Sequence, residues 1–409
     1  MGHDRIKCSG EVDCFVFRVR LCGVCRVSRD WQSPTCHAII LIERQQLSAR
    51  GDEMSKTDGR RRLAGYLGPV TPQWIKTTYN ILYSRWRLIN NCIYDYRFFR
   101  RWSGLPRLAP SRISLRALIT MNYHRIEKGL SLREPRPGFG KYHIEKLVRD
   151  LHSYIDRFGP DQTIVVAVNV LREYLEFNRR HDSVDQAIRE QIEALQERVA
   201  KLPVCDERGG SIELTRAQIQ EAGMIDLHRF FASRHSVRHF SHEPVPRQLI
   251  ERAVAMAQST PSVCNRQAWR VYCFQDPDTK RAVLAHQNGN LGFGEQASWV
   301  FVITCDVAHF VSVGERHQAW VDGGMFSMSL LHALHSLGLG ACALNWSREK
   351  EADRALRKTA AIDERDVIIM LAAAGHLPEK LRVAQSARKH LHEVMIDGDE
   401  RRARRGRTA

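Results

Sequence analysis

Apolar residues in the chain follow two spacings, and the change between them falls near Met224. Before that point the spacing is helical. Residues 71–102 predict a helix, residues 111–158 predict two helices around a Pro- and Gly-rich loop, and residues 165–177 predict another. The next helix carries one apolar stripe with steps of three or four residues. The stripe consists of Val184, Ile188, Ile192, Leu195 and Val199. The helix predicted at residues 165–177 and the helix that carries this stripe are therefore expected to form a helical hairpin.

After Met224, short runs rich in β-forming residues alternate with helical patterns. The runs are residues 270–274, 299–305, 341–346 and 367–374, and the helical patterns are residues 246–258 and 320–337. Strands that alternate with helices indicate a mixed α/β layer structure.

Changes in composition divide the chain into four segments. Residues 1–53 are predicted to be a disordered leader, or a stretch that is not naturally made, because they lack a long apolar period. Residues 54–220 are predicted to form a helical extension that ends in a linker near residues 203–210. Residues 221–396 form the α/β region, and residues 397–409 form a basic tail.

The net charge of +16 is concentrated at the two ends of the chain. Residues 1–120 hold 21 Lys and Arg against 9 Asp and Glu, and residues 380–409 hold 9 against 4, so the middle is close to neutral. An anionic polymer or membrane would therefore meet the ends. No run approaches the roughly 20 apolar residues of a membrane-spanning helix, and charges interrupt the amino-terminal segment. These features predict a cytoplasmic protein without a specific nucleic-acid partner.

The predicted helix near the amino end of the chain combines aromatic and basic side chains over residues 74–102. Such a helix can lie on a membrane surface, which makes a peripheral membrane contact one hypothesis. The favoured interpretation is that its rings pack on the rest of the protein.

Five of the 11 cysteines lie within the first 36 residues, which raises the question of a zinc site. Cys22 and Cys25 form a CxxC pair, but the second pair would be the adjacent Cys36 and His37. Two adjacent residues are poorly placed to reach one tetrahedral ion. We therefore predict no metal site.

Two polar constellations in the α/β region suggest chemistry. In the first, Arg234 and Arg238 flank Ser236, and two guanidinium groups with a hydroxyl can converge on a phosphate dianion. In the second, Asn265 and Gln267 stand just before a predicted strand, and their amides offer donors and acceptors that suit a heteroaromatic edge. Each pattern alone also fits an ordinary surface or turn.

Taken together, these patterns resemble the nitroreductase-like flavoprotein family. The resemblance covers residues 226–396 and rests on motifs in the order and spacing of that family. The motifs are Arg234-x-Ser236-x-Arg238, the segment Pro261–Trp269, Asp322-Gly323-Gly324, Gly338–Ala341, Ala374-Gly375 and Arg388–Glu393. The upstream segment Tyr123–Leu130 is similar to an extension found on members near bacterial polysaccharide-synthesis genes.

The resemblance implies an α+β fold in which an antiparallel sheet is wrapped by helices and preceded by a mainly helical region. It also implies a homodimer that binds FMN at the subunit interface and passes electrons from NAD(P)H to a small-molecule acceptor by a ping-pong mechanism. Arg234, Ser236, Arg238 and Arg388 would hold the phosphate and ribityl chain of FMN. Asn265 and Gln267 would face the ring, and backbone groups near Leu344 and Asn345 would lie close to its reactive nitrogen. No catalytic side chain is predicted, because the flavin carries the chemistry.

Several positions depart from the family pattern. They are Ala268, His235, His390 and the pair Met328 and Ser329, which stands where a Gln-Asn pair is common. These departures leave open a non-catalytic scaffold of the same fold, associated with polysaccharide synthesis. A nucleic-acid-binding protein is a weaker alternative, because the basic ends form no recognisable reader motif.

Overall fold

A computed structural model describes residues 72–106, 110–183, 185–200 and 208–406. The predicted leader and its cysteines, residues 203–207 of the predicted linker and Val184 lie outside these ranges. The chain divides into two compact units at Ser84, within the first helix of the described residues, and all sites discussed below lie in the second unit. Among the described residues, no helix is long and apolar enough to cross a membrane.

Among the described residues, seven helices precede the sheet-forming part of the chain, and local caps explain where several of them begin. The helices are α1 (Gln73–Trp102), α2 (Arg112–Leu130), α3 (Lys141–Phe158), α4 (Gln162–Arg179), α5 (Gln186–Ala200), α6 (Arg216–Ala222) and α7 (Leu227–Ser233). The Ser111 hydroxyl accepts from the Ser114 N–H at 3.1 Å, and Asp161 caps α4 through the Thr163 N–H. Thr215 forms a reciprocal capping box at the start of α6. These side chains satisfy N–H groups that a helix start leaves unpaired.

Helices α2 to α5 enclose a hydrophobic core of their own, here called the helical core. Three residues of the predicted apolar stripe, Ile188, Ile192 and Leu195, are buried in it. The Tyr123–Leu130 motif lies at the end of α2, where Tyr123 and Ile126 are buried in the same core. The helical hairpin is formed by α4 and α5, as the spacing predicts.

The remaining elements form a four-stranded antiparallel sheet with helices on both faces. They are α8 (Arg247–Ala257), β1 (Trp269–Phe274), α9 (Pro277–Leu284), β2 (Trp299–Asp306), α10 (Gln318–Ser336), β3 (Leu339–Asn345), α11 (Lys350–Thr359), β4 (Asp366–His376), α12 (Leu391–Val394) and α13 (Gly398–Gly406). The strand order is β1-β2-β4-β3. This is the α+β fold expected from the resemblance. The described part of the basic tail contains α13, a short helix that the composition does not predict.

Alternation along the central strands places one apolar layer on each face of the sheet. Trp299 and Phe301 of β2 point into a core that α8 and α10 cover, whereas Val300 and Val302 point into a second core with Leu356 of α11. Every residue of β2 is buried. A strand covered on both faces reads as a continuous apolar run, which explains the composition of this segment.

The helical region docks directly onto the sheet domain. Phe98, Phe99 and Trp102 of α1 pack against the core that α8 and α10 cover. Helix α2 contacts the 3₁₀ turns Val263–Asn265 and Val307–His309. The Gly104 N–H donates to the Phe310 carbonyl at 2.9 Å. The helical region therefore supports a loop that carries predicted site residues.

Candidate functional site

The segment after α7 lies along the edge of β3 and arranges the predicted phosphate ligands in a row. The Val237 N–H donates to the Ala341 carbonyl at 3.0 Å, and Ser236 forms an isolated parallel bridge with Ala341. Val237 is buried. Ser236 stands between Arg234 and Arg238 in this segment; Arg234 lines a pocket together with Val237, and Arg238 lies over the Phe293 ring at 6.0 Å.

Close packing with a glycine lets this row approach the sheet. A Cβ at Gly340 would lie 2.9 Å from Val237 Cγ1 and 2.8 Å from Leu377 Cδ2. Since real Cβ atoms do not approach other atoms so closely, glycine is required here. The Gly-Leu-Gly pattern of the sequence thus includes a packing site for the segment that carries the row.

A small pocket opens beside the row. It has a volume of about 180 Å³, and its walls include Arg234, His235, His335 and Leu377. The Ser233 hydroxyl and His335 Nε2 are 2.9 Å apart. Burial lowers the pKa of His335, and the nearby Arg234 lowers it further. His335 is therefore neutral at pH 7, and the positive charge at this pocket comes from arginine.

The loop Ser262–Gln267 holds the predicted ring-facing amides in an unusual backbone conformation. Cys264, Asn265 and Gln267 have φ values of 49°, 52° and 48°. Non-glycine residues rarely adopt such angles, so surrounding contacts must enforce them. The Gln267 side-chain amide donates to Asn265 Oδ1 at 3.1 Å, and both residues are exposed. The loop presents a paired donor and acceptor set at the surface.

The contacts that enforce this loop centre on a buried ion pair that the sequence did not reveal. Arg266 donates to both carboxylate oxygens of Glu315 and, at 2.7 Å, to the His309 carbonyl. The Arg266 side chain is fully buried and that of Glu315 is 18% exposed. Burial raises the pKa of Glu315, but the bonds from Arg266 outweigh it and the pKa lies below its usual value.

A second buried carboxyl pins the start of the same loop. Asp322 of α10 is 0% exposed, accepts from Gln318 Nε2 at 2.8 Å and lies 3.3 Å from the Val263 nitrogen. Burial raises its pKa, which contacts with Gln318 and Val263 partly offset. Asp322 was noted in the sequence only as part of a family motif. Its contacts show it to be a positioning residue for the loop.

The far end of β3 holds the last two predicted positions near the ring. The Leu344 side chain is buried in the second core, so only its backbone is available to a ligand. Asn345 is exposed, and its side-chain and backbone oxygens accept from Gln287 Nε2 at 3.3 and 3.1 Å. Gln287, which the sequence interpretation missed, fixes the orientation of this strand end.

One chain does not bring all eight predicted residues together. Arg388 is exposed in an irregular segment after β4 and donates to the Ser386 carbonyl at 2.6 Å. Among the described residues, no hydrogen bond or ion pair joins Arg388 to Arg234, Ser236 or Arg238. The Asn265 and Gln267 amides likewise contact each other and not the phosphate row. That these residues form one site remains a prediction from the sequence.

Comparisons with known proteins place this geometry in context. Two overlapping segments, residues 231–290 and 277–376, match the model of the nitroreductase family. An NADH dehydrogenase of Thermus thermophilus is 32% identical over 106 residues, which are 24% of this chain and 51% of that protein. The chain thus spans about half the length of this curated relative.

Solved structures with similar folds have low sequence identity to this chain. An FMN-dependent nitroreductase from Clostridium difficile is 18% identical with a TM-score of 0.33, covering 38% of this chain and 90% of that one. A nitroreductase family protein from Streptococcus pneumoniae is 17% identical with a TM-score of 0.36, covering 42% and 100%. The family match contains the row Arg234–Arg238, the loop Ser262–Gln267 and all four strands, so the part of the chain from residue 231 to residue 376 is similar to the nitroreductase family.

Proposed function

We propose that the sheet domain binds FMN non-covalently and passes electrons from NAD(P)H to a small organic acceptor by a ping-pong mechanism. The observation that carries the proposal is the row of Arg234, Ser236 and Arg238 on the edge of β3, within the segment that matches the nitroreductase family. A relative of the same family is described as FMN-dependent, and another relative as an NADH dehydrogenase.

The donor set of the chain fits FMN. Two guanidinium groups and a hydroxyl within five residues along the edge of β3 suit a single phosphate dianion. The Asn265 and Gln267 amides suit the polar edge of an isoalloxazine ring. Arg388 would complete the phosphate contacts. Bound FMN would supply hydride and electron transfer, while the protein binds it, orients it and excludes water.

We further propose that two copies of the chain complete the site. Helix α10 exposes an apolar face, and Trp320, Val321 and Met325 on it are 43%, 51% and 38% exposed. The segment Leu391–Ile396 beyond Arg388 is also apolar and exposed. Exposed apolar patches of this kind mark association surfaces. A partner seated there would let Arg388 and the amide loop of one copy contribute to the site of the other.

Cofactor identity is the first test. Heat release from the purified protein, followed by chromatography, should yield FMN. Recovery of FAD, or of no flavin after incubation with excess FMN, would overturn the proposal. Sedimentation should give a dimer, and Val321→Arg on the exposed face of α10 should weaken it. The exposed Arg180→Glu, directly after α4, serves as the control.

Electron transfer is the second test. NADH or NADPH should bleach the bound flavin under anaerobic conditions, and steady-state double-reciprocal plots should be parallel because one flavin serves both substrates in turn. Intersecting lines would contradict the ping-pong order. Bound FMN that neither NADH nor NADPH reduces would favour the alternative of a non-catalytic scaffold. Met328 supports that alternative, because it is exposed and stands where the family commonly has a polar residue. A reaction that draws on the nicotinamide pool also fits a cytoplasmic location.

A further inference from the structure

A groove outside the nitroreductase-like site gathers positive charge between α1 and α11. It has a volume of about 400 Å³. Five cations line it: Arg97, Arg101, Lys350, Arg354 and Arg357. Glu364 is the one carboxylate in the same lining, and it is exposed. The groove therefore carries a surplus of positive charge.

Aromatic rings hold three of the guanidinium groups in place. Arg354 lies over the Tyr94 ring at 5.1 Å, Arg357 over Phe98 at 4.9 Å and Arg101 over Trp102 at 4.7 Å. Stacking on a ring leaves the N–H groups at the edge of the Arg354 guanidinium available to a further partner. Ordering these side chains in advance lowers the entropy lost when a ligand binds.

A largely buried carboxylate beside the groove, Asp353, is already used within the protein. Asp353 pairs with Arg357 at 2.7 Å and accepts from the Tyr94 hydroxyl at 2.7 Å and from Trp346 Nε1 at 3.2 Å. Burial, together with Asp353, raises the pKa of Tyr94 to about 12, so this hydroxyl stays a donor. Arg97, Lys350 and Arg354 form no ion pair with another described residue. The carboxylates near these cations are Asp353, the exposed Glu364 and Asp95, whose pKa is raised by burial and by Asp353, so positive charge remains in excess in the described part of this region.

An interface with a structural role alone would gain nothing from unneutralised cations, because like charges held together repel. We propose that the groove is a binding site for a phosphate-bearing anion, supplied either by a soluble phosphorylated molecule or by the headgroup of an anionic lipid. The groove residues on α1 lie outside residues 231–376, the segment that matches the family model. Those on α11 face α1 and are more than 100 residues from the row Arg234–Arg238 in sequence. The groove shares no lining residue with the pocket beside Arg234.

Pyrophosphate is the soluble probe. Calorimetric titration of the full chain, first loaded with FMN at the row Arg234–Arg238 and then freed of unbound flavin, should show binding that weakens as salt is added. Lys350→Met and Arg354→Gln should each lower the affinity about tenfold or more, since each removes a charge-assisted contact. Lys358→Met, on the same helix but outside the groove, should change it less than about twofold.

Vesicles distinguish the two sources of the phosphate. Phosphatidylcholine vesicles with and without phosphatidylglycerol are sedimented with the chain. If the chain sediments only with the vesicles that contain phosphatidylglycerol, and Lys350→Met and Arg354→Gln weaken this binding, the ligand of the groove is a lipid headgroup. Pyrophosphate binding without vesicle binding assigns it to a soluble ligand. In either case Lys358→Met is the matched control.

Three results would overturn the proposal: no binding of either probe, binding that the groove variants leave unchanged, or an equal loss in Lys358→Met. Circular dichroism shows whether each variant folds. If Lys350→Met, which changes a half-buried residue, does not fold, the exposed Arg97→Gln takes its place with the same expected loss.

Discussion

The buried ion pair behind the amide loop provides a quantitative test of the structure. Glu315→Gln removes the negative charge opposite Arg266, whose side chain is fully buried. Breaking a buried pair from one side typically costs about 3–5 kcal/mol, because it leaves an uncompensated charge. The His309 carbonyl still accepts from Arg266, and a Gln oxygen can still accept from the Val311 N–H. We therefore expect a loss near the lower end, about 3 kcal/mol of unfolding free energy at pH 7.

An exposed pair serves as the matched control. Arg247 and Glu251 on α8 also form an ion pair, with an N–O distance of 2.8 Å, but their side chains are 75% and 61% exposed. Glu251→Gln should leave the unfolding free energy unchanged within error, since solvent screens such pairs. Urea denaturation followed by tryptophan fluorescence measures both variants. A Glu315→Gln variant as stable as Glu251→Gln would refute the assigned role of the buried pair.

The same variant has a defined pH dependence. The pKa of Glu315 is lower in the folded chain than in the unfolded chain, so ionised Glu315 stabilises the fold above the unfolded pKa, about 4.3. That stabilisation is lost as the pH falls through the folded pKa. The stability gap between the wild-type chain and Glu315→Gln should therefore narrow below about pH 4.5. A gap that widens on acidification would contradict the assignment. Arg266→Met combined with Glu315→Gln should recover part of the loss, because no buried charge remains.

Three further predictions concern cofactor binding, helix packing and docking of the helical region. Arg238→Ala should lower FMN affinity about ten- to a hundredfold with an unchanged circular dichroism spectrum, and unchanged affinity would place the phosphate elsewhere. Gly323→Ala should lower the melting temperature, because its Cβ would lie 2.6 Å from Ile369 Cγ1. Gly324→Ala should keep or raise the melting temperature, because its Cβ would have no atom within 4 Å. The reverse order of the two melting temperatures would refute this packing. A chain beginning at Glu221 should be poorly soluble and low in flavin, because it lacks the aromatic rings of α1 and the whole of α2. A chain beginning at Met54 should keep its flavin and its NAD(P)H oxidation. A soluble, fully active Glu221 chain would contradict the docking of the helical region.

Local periodicity was enough to predict most elements of this protein. The stripe containing Ile188, Ile192 and Leu195 repeats within a few residues, so its burial on one helix face follows from helix geometry alone. The four strands lie within two residues of the ranges that their β-forming runs predict, because strand propensity is also local. The row of Arg234, Ser236 and Arg238 was visible for the same reason, although its attachment to β3 was not.

Contacts between distant residues were decided only by the tertiary structure. Arg266 and Glu315 are 49 residues apart and Gln287 and Asn345 are 58 apart, and nothing in their local sequence marks them as partners. The cationic groove joins residues of α1 and α11 that lie still further apart. Gly323 and Gly324 are neighbours, yet one faces the sheet and the other faces open space, because each step along a helix rotates the side chain by about 100°. Local sequence thus predicted the four strands and the longest helices, whereas chain folding determined which charges meet and which surfaces remain open.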